Sequence, residues 1–166
     1  MKNNYYYLIA GLPMLQFGMK PPLSHKDFLE ECRRQLSAGD MANLEKNTVG
    51  LSKEWNIFDI SLRNELVRLR SAKKGKNPDN YLRGTKETNP FTEPMAHWAV
   101  NQDSPMDAEK YLDKIRWEKI EDIKRGHYFD TDYLAAYGIQ LRILERWDRI
   151  DSGGGMKILE ELTGKI

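Results

Sequence analysis

The sequence has little of what disulfide-bonded or membrane-spanning proteins need. Only one of its 166 residues is a cysteine, Cys32, which excludes an intramolecular disulfide and a cysteine-based zinc cluster. No apolar run approaches the roughly 18 residues that a membrane-spanning helix requires. The longest near-apolar stretch, residues 5–15, is interrupted by Gly11 and Pro13, and no small-residue cleavage pattern follows it. We therefore expect no signal peptide and a protein of the reducing cytosol.

An excess of charge of one sign and the common catalytic motifs are also missing. The chain has 26 basic and 25 acidic residues, and this balance gives no reason to expect a nucleic acid or an anionic membrane as its partner. It contains no phosphate loop ending in Gly-Lys-Ser/Thr, no Gly-x-Ser-x-Gly and no His-Glu-x-x-His. The glycine run 153–155 has no flanking strand, so it is interpreted as a linker that precedes a short terminal helix at 156–162. We expect neither enzymatic activity nor a cofactor.

Helical patterns are what the sequence does contain. Apolar residues recur every three or four positions in several stretches, whereas the single strand-like stretch, residues 5–9, has no candidate partner strand. These patterns predict an all-α, irregular bundle of about six or seven helices, with residues 5–9 as a short helix or an extended arm. The length fits one domain. If the chain divides, the expected lobes are 1–74 and 95–166, joined by a loop at 75–94.

Caps and glycines set the expected ends of the helices in the first half. Ser24 precedes an apolar pattern that is expected to stop near Gly39. Ser52 is the expected N-cap of a longer helix, which should end at Lys73 and Lys74, before Gly75.

The two helices of the second half have the clearest signals. Ser104 and Pro105 begin the first of them, which should continue to Arg125 and Gly126. Asp130 or Thr131 begins the second, which should run to about Arg149. Two apolar stripes lie on this last helix, and a helix with two such stripes is usually packed on two sides. We therefore expect it to be the central helix. The stripes are Leu134, Tyr137, Leu141 and Leu144, and Ile139, Ile143, Trp147 and Ile150.

A local excess of positive charge is the first candidate for function. Residues 61–86 contain eight basic and two acidic residues, although the whole chain is nearly neutral. This excess indicates either a contact surface for an acidic protein partner or a solvated face followed by a lysine-rich loop. Aromatic residues are not interleaved with the basic ones, which argues against single-stranded nucleic acid. The candidate contact residues are Arg63, Arg68, Arg70, Lys73 and Lys74.

His127, Asp130 and Asp132 form the only close group of metal-ligand residue types. One imidazole and two carboxylates hold a divalent ion if a further ligand folds in. The favoured interpretation is structural: Asp130 caps the following helix, Asp132 lies in its first turn, and no metal is bound. His25 and His97 are isolated in the sequence and are also expected to be structural.

Several segments at both ends and in the middle of the chain form a recognisable succession. They are residues 5–13 (YYYLIAGLP), 61–66 (SLRNEL), 113–117 (DKIRW), 129–130 (FD), 133–137 (YLAAY) and 141–147. This succession resembles a group of uncharacterised bacterial proteins whose genes lie within V-type (A/V-type) ATP synthase operons. It is also distantly similar to the family of C-type and d-type subunits of rotary V-type ATPases, in which helical domains form a socket between the rotating stalk and the membrane ring.

The resemblance implies a non-catalytic adaptor, stalk or assembly component of a V-type ATP synthase. Its partners would be other subunits of that complex, and its location the cytoplasm or, through the complex, the inner face of the membrane. The C-type and d-type proteins usually have three similar domains, so this shorter chain does not imply a complete socket. A free-standing helical module that regulates another complex is the alternative, followed by a metal-dependent enzyme using His127, Asp130 and Asp132.

Overall fold

The computed structural model of the chain describes residues 5–46, 50–84 and 87–152. These residues form seven α-helices and one 3₁₀ turn, Pro78–Asn80, and contain no strand, so the all-α prediction is confirmed. The predicted glycine linker and terminal helix 156–162 lie outside the described residues. None of the described helices is both long and apolar enough to cross a membrane. The helices are α1 (Tyr6–Gly11), α2 (His25–Gln35), α3 (Ala38–Glu45), α4 (Gly50–Lys73), α5 (Glu93–Val100), α6 (Pro105–Lys124) and α7 (Thr131–Asp151).

Serine caps separate α2 from α3 and correct one sequence-based boundary. The Ser24 hydroxyl accepts the Asp27 N–H at 3.0 Å, as its position predicts for an N-cap. The helix then ends at Gln35 instead of continuing to Gly39. The prediction of that end was wrong because Ser37 caps a new helix, accepting the Asp40 N–H at 3.2 Å. Gly39 lies inside α3 and therefore does not mark the end of a helix.

The signals that end α4 and α6 act as the sequence predicts. Gly75 follows α4 with a φ of 61°, and Gly126 follows α6 with a φ of 89°. Residues with a side chain rarely adopt this left-handed conformation, so glycine is favoured at both positions. The start of α4 differs from expectation, since the helix begins at Gly50, two residues before the predicted cap Ser52.

The chain divides into two compact units. Unit 1 consists of Met1–Val49 and Lys124–Ile166, and unit 2 is the continuous stretch Gly50–Ile123. This division differs from the lobes considered from the sequence, because residues 75–94 lie within unit 2. The folding of the whole chain as one domain stays a prediction.

Helix α7 is the centre of unit 1, where it packs against α2 and α3. Both predicted stripes are largely buried, and only the outer end of the second, with Ile150, is exposed. Gly138 lets α2 come close, because a Cβ atom at this position would lie 3.1 Å from Cε1 of Phe28. The prediction that α7 is the central helix is confirmed within this unit.

The N-terminal segment is tied to the rest of unit 1 through two tyrosines. The Tyr5 N–H donates to the Phe129 carbonyl at 2.8 Å, and the Tyr5 hydroxyl donates to the Asp40 carboxylate at 2.5 Å. The Tyr137 hydroxyl donates to the Pro13 carbonyl at 2.9 Å. Burial, together with nearby Tyr133, raises the pKa of Tyr137 to about 12, so this hydroxyl keeps its proton. The segment is a short helix that packs on the core, one of the two forms expected.

Unit 2 has its own apolar core, built where α4, α5 and α6 meet. Two alanines of α5, Ala96 and Ala99, are buried in it, and their small side chains permit the close packing of α4 against α5. The remaining buried members are Leu62, Leu66, Ala108 and Leu112, with Phe58, Leu69, Met95, Val100 and Tyr111 packed around them.

Candidate functional site

Three polar residues in the middle of α4 hold the 75–94 segment in place. Asn64 is buried and pairs with the backbone of Arg83 through both atoms of its amide. Glu65, also buried, accepts the Asn89 N–H at 3.1 Å. Ser61 shares a 2.9 Å hydrogen bond with Thr92. The segment is therefore anchored to α4 at three places and includes a 3₁₀ turn and the first residues of α5.

Two of the five candidate contact residues are engaged in ion pairs along α4 itself. Arg68 is largely buried, with 18% of its side chain exposed, and it donates to the Glu65 carboxylate at 2.6 Å. Arg63 is 58% exposed and donates to Asp59 at 2.7 Å. Arg68 thus supports the interior of unit 2, whereas Arg63 keeps much of its surface in solvent.

The Asp59 carboxylate also joins α4 to α6. Its second oxygen accepts Nε of Arg116 at 3.0 Å, and Nη1 of Arg116 donates to Asp113 at 2.8 Å. Asp113 is buried and Arg116 nearly so. Burial lowers the pKa of Arg116, but the charges and hydrogen bonds of Asp59 and Asp113 outweigh it and raise that pKa above its usual value. The guanidinium therefore stays charged and braces the two helices.

The other three candidate residues lie at the end of α4, with Arg70 and Lys73 in its last turn and Lys74 directly after it. Arg70 is 58% exposed, and its guanidinium lies 3.7 Å from the Glu109 carboxylate of α6. The Lys73 ammonium donates to the carbonyl of Val100, the last residue of α5, at 2.9 Å. Lys74 is exposed. Arg63 lies seven residues before Arg70, about 10 Å along the helix. Because Arg68 turns inward to Glu65, only four of the five candidate residues are exposed.

An aromatic pair that the sequence interpretation missed joins α5 to α6. The rings of Trp98 and Tyr111 stack with their centroids 3.8 Å apart and their planes 36° apart. Trp98 is 45% exposed, although tryptophan is among the residues that fold with most of their surface buried. Trp98 is distant from α4 in sequence and α5 itself was not predicted, so no local pattern pointed to this pair.

His127, Asp130 and Asp132 are brought together at the start of α7. One ligand atom from each lies within 4.8 Å of the others. Asp130 uses one oxygen to accept the Tyr133 N–H at 3.0 Å and the other to hold Nδ1 of His127 at 2.7 Å. The prediction that Asp130 is the N-cap of this helix is therefore confirmed. These residues can hold a divalent ion if the imidazole exchanges its hydrogen bond for a metal, but the positive end of the helix dipole opposes a cation there.

A pocket of about 110 Å³ lies in unit 1 between α2, α3 and α7. Apolar residues such as Phe28 and Gly138 line it together with His25, Glu45 and Arg142. Burial and then the Arg142 charge lower the pKa of His25, although Glu145 opposes them. Glu145 also accepts the His25 N–H at 2.7 Å, so this carboxylate caps α2 from outside the helix. This contact uses only the backbone of His25, so the structural role expected of its imidazole stays a prediction.

These features describe an all-α protein whose polar clusters brace helices and anchor a long connection. Residues 97–166 match a family described as "Protein of unknown function (DUF2764)". The match begins inside α5, spans α6 and α7, and covers less than half of the chain. No curated protein and no solved structure matches the chain.

Proposed function

We propose that the protein is a non-catalytic adaptor, stalk or assembly component of a V-type ATP synthase. The observation that carries the proposal is the exposed basic end of α4, where Arg70, Lys73 and Lys74 lie together on a braced helix. Charges presented on a rigid element lose little conformational entropy on binding, so they suit a stable contact between subunits. The link to this complex comes from the sequence resemblance.

The resembling segments have structural roles that suit a scaffold. In 61–66, Ser61 and Asn64 hold the 75–94 segment, and Leu62 lies in the core of unit 2. The segment 113–117 contains Asp113 and Arg116, which brace α6 against α4. Polar groups used in this way maintain the shape of a binding surface and leave few groups for catalysis.

An affinity pull-down of the tagged chain from its own cytoplasm and membranes tests the proposal. We expect mass spectrometry to recover V-type ATP synthase subunits, and we expect Arg70→Glu combined with Lys74→Glu to abolish that recovery. Arg34→Glu is the matched control, since Arg34 is exposed on α2 and pairs only weakly with Glu31. Absence of ATP synthase subunits after mild crosslinking would reject the proposal.

A free-standing interaction module that regulates another complex is the second candidate. It is favoured by large exposed aromatic side chains away from α4, namely Tyr7 and Tyr128 in unit 1. This candidate predicts that the isolated chain folds stably and binds none of the ATP synthase subunits. A pull-down that recovers a different complex, and loses it on Tyr7→Ala or Tyr128→Ala, would favour it.

A further inference from the structure

We propose that the pocket of unit 1 binds a small carboxylate that carries a short, branched apolar group. The apolar group would fill the space between α2, α3 and α7, and the carboxylate would accept hydrogen bonds from Arg142 and His25. The inference goes beyond the adaptor role and does not depend on it. Every residue that lines the pocket belongs to unit 1, whereas the basic end of α4 belongs to unit 2.

One wall of the pocket is a single face of α7. Ala135, Ile139 and Arg142 line it, and their spacing of four and then three residues puts them on the same side of the helix. Gly138 belongs to this face as well, and a larger residue there would enter the space between α7 and α2. The other apolar residues of the lining come from α2 and α3, namely Phe28, Leu29 and Leu44.

The size of the pocket limits the ligand to a few carbon atoms. Its volume is about 110 Å³. An engineered apolar cavity of about 150 Å³ holds benzene, which has six carbons, so this pocket suits an apolar group of roughly four or five. Transfer of that group from water to an apolar lining supplies affinity without a specific polar contact.

Two polar side chains at the pocket are available to a ligand. Arg142 is exposed and makes no ion pair or hydrogen bond with another described residue. No described residue hydrogen-bonds the imidazole of His25, because only its backbone N–H is engaged, by Glu145. Nε2 of this imidazole would lie 3.6 Å from a Cβ atom at Gly138, so it faces the α7 wall of the pocket.

The guanidinium of Arg142 and the imidazole of His25 are close enough to interact. Burial and then the Arg142 charge lower the pKa of His25, although Glu145 opposes them. A carboxylate placed between the two groups can accept from the guanidinium and from an N–H of the imidazole. The pocket thus offers two donors at the edge of an apolar lining, which is the usual composition of a small-molecule site.

The charges around the pocket favour an anionic ligand over a cationic one. Glu45 also lines the pocket, but Arg33 holds its carboxylate at 2.8 Å. Glu145 accepts the backbone N–H of His25 at the start of α2. Arg142 is therefore the charge that remains for a ligand, and a guanidinium binds a carboxylate through two parallel hydrogen bonds.

Titration of the whole chain with isovalerate tests the site. Nitrogen-15 NMR would follow the backbone amide signals of Gly138 and Ile139, and we expect both to shift at millimolar isovalerate. Acetate lacks the apolar group and isovaleramide lacks the charge, so each should bind at least about threefold more weakly than isovalerate.

One variant and a matched control locate the carboxylate. Arg142→Gln should weaken the binding of isovalerate about fivefold or more, because it removes the cation from the pocket. Arg149→Gln should leave the affinity unchanged, since Arg149 is an exposed arginine of the same helix that does not line the pocket. Both side chains are exposed, so neither substitution should prevent folding.

Three results would overturn the proposal. The first is that the Gly138 and Ile139 signals do not move at the highest soluble concentration of isovalerate. The second is equal affinity for isovalerate and isovaleramide, or equal affinity of the wild-type chain and Arg142→Gln for isovalerate. The third is tighter binding of isopentylamine than of isovalerate, which would favour a cation paired with Glu45.

Discussion

Asn64 pairs with the backbone of Arg83 as a neighbouring peptide strand would. Its Nδ2 donates to the Arg83 carbonyl at 2.7 Å, and its Oδ1 accepts the Arg83 N–H at 3.0 Å. A single buried side chain on α4 thus satisfies both backbone groups of a residue 19 positions away. The path of the 75–94 segment depends on this pair.

Replacing Asn64 by alanine should release that part of the segment. We expect Asn64→Ala to lower the free energy of unfolding by about 1–3 kcal/mol, because it removes two hydrogen bonds and leaves a buried site without its amide. Urea denaturation measures the loss, and faster hydrogen exchange at the Arg83 amide locates it. Asn77→Ala is the control, since the exposed Asn77 accepts only the Asp79 N–H. An unchanged exchange rate at Arg83 in Asn64→Ala would contradict the assignment.

The brace between α4 and α6 should depend strongly on Arg116. We expect Arg116→Met to lower the free energy of unfolding by about 3–5 kcal/mol, because the buried Asp113 carboxylate would lose a charged partner. Arg63→Met, which removes only the exposed partner of Asp59, should cost less than about 1 kcal/mol. Equal effects of the two substitutions in thermal or urea unfolding would show that the pair with Arg116 is no more important than a surface contact.

The core of unit 1 should be sensitive to truncation of α7. Leu141 is fully buried, so Leu141→Ala is expected to cost about 2–5 kcal/mol through lost burial and the cavity left behind. Ile57→Ala removes an exposed side chain of α4 and should cost less than about 0.5 kcal/mol. A cost below about half a kcal/mol for Leu141→Ala would refute the central position of α7.

His25 should make the stability depend on pH. Because burial and Arg142 lower its pKa in the folded chain, the unfolded chain binds the proton more readily. Its contribution to stability is therefore present above the unfolded pKa of about 6.5 and is lost as the pH falls through the folded value. We expect His25→Gln to reduce the loss of stability between about pH 7 and pH 5 in urea titrations. An identical pH profile in the variant would contradict this, and His97→Gln, at an exposed histidine, is the matched control.

Added metal should have little effect on folding. We expect Zn²⁺ to raise the melting temperature by less than about 1 °C, because Asp130 already caps α7 and the helix dipole opposes a cation. A larger rise that disappears in His127→Ala or Asp132→Asn would instead support the metal-dependent enzyme.

Local signals in the sequence were sufficient for much of the fold but not for the contacts between distant residues. The cap at Ser24, the glycines at 75 and 126, and the two stripes of α7 act through neighbours within a few residues, so they could be predicted. The end of α2 was missed because Ser37 offers a competing cap. The short helix α5 was missed because its pattern, of only eight residues, follows a proline-rich loop.

The candidate contact surface on α4 was likewise only partly predictable, because it depends on contacts between residues that are distant in sequence. Charge density along α4 predicted a basic region, and Arg70, Lys73 and Lys74 do lie together at its end. The sequence could not show that Arg68 turns inward to Glu65, or that Lys73 reaches the Val100 carbonyl at the end of α5. Both facts depend on how α4, α5 and α6 pack, which no local pattern specifies.

The division of the chain has a consequence for the order in which the protein folds during synthesis. All of unit 2 is continuous, so its core can close as soon as residue 123 has left the ribosome. Unit 1 cannot do so, because its N-terminal part is held by hydrogen bonds to α7. The bond of His25 to Glu145, and that of Pro13 to Tyr137, 124 residues later, can form only after α7 has been synthesised. The emerging helices α1, α2 and α3 therefore expose apolar residues such as Phe28 until α7 has been synthesised, and this interval is when a nascent-chain chaperone would be needed most.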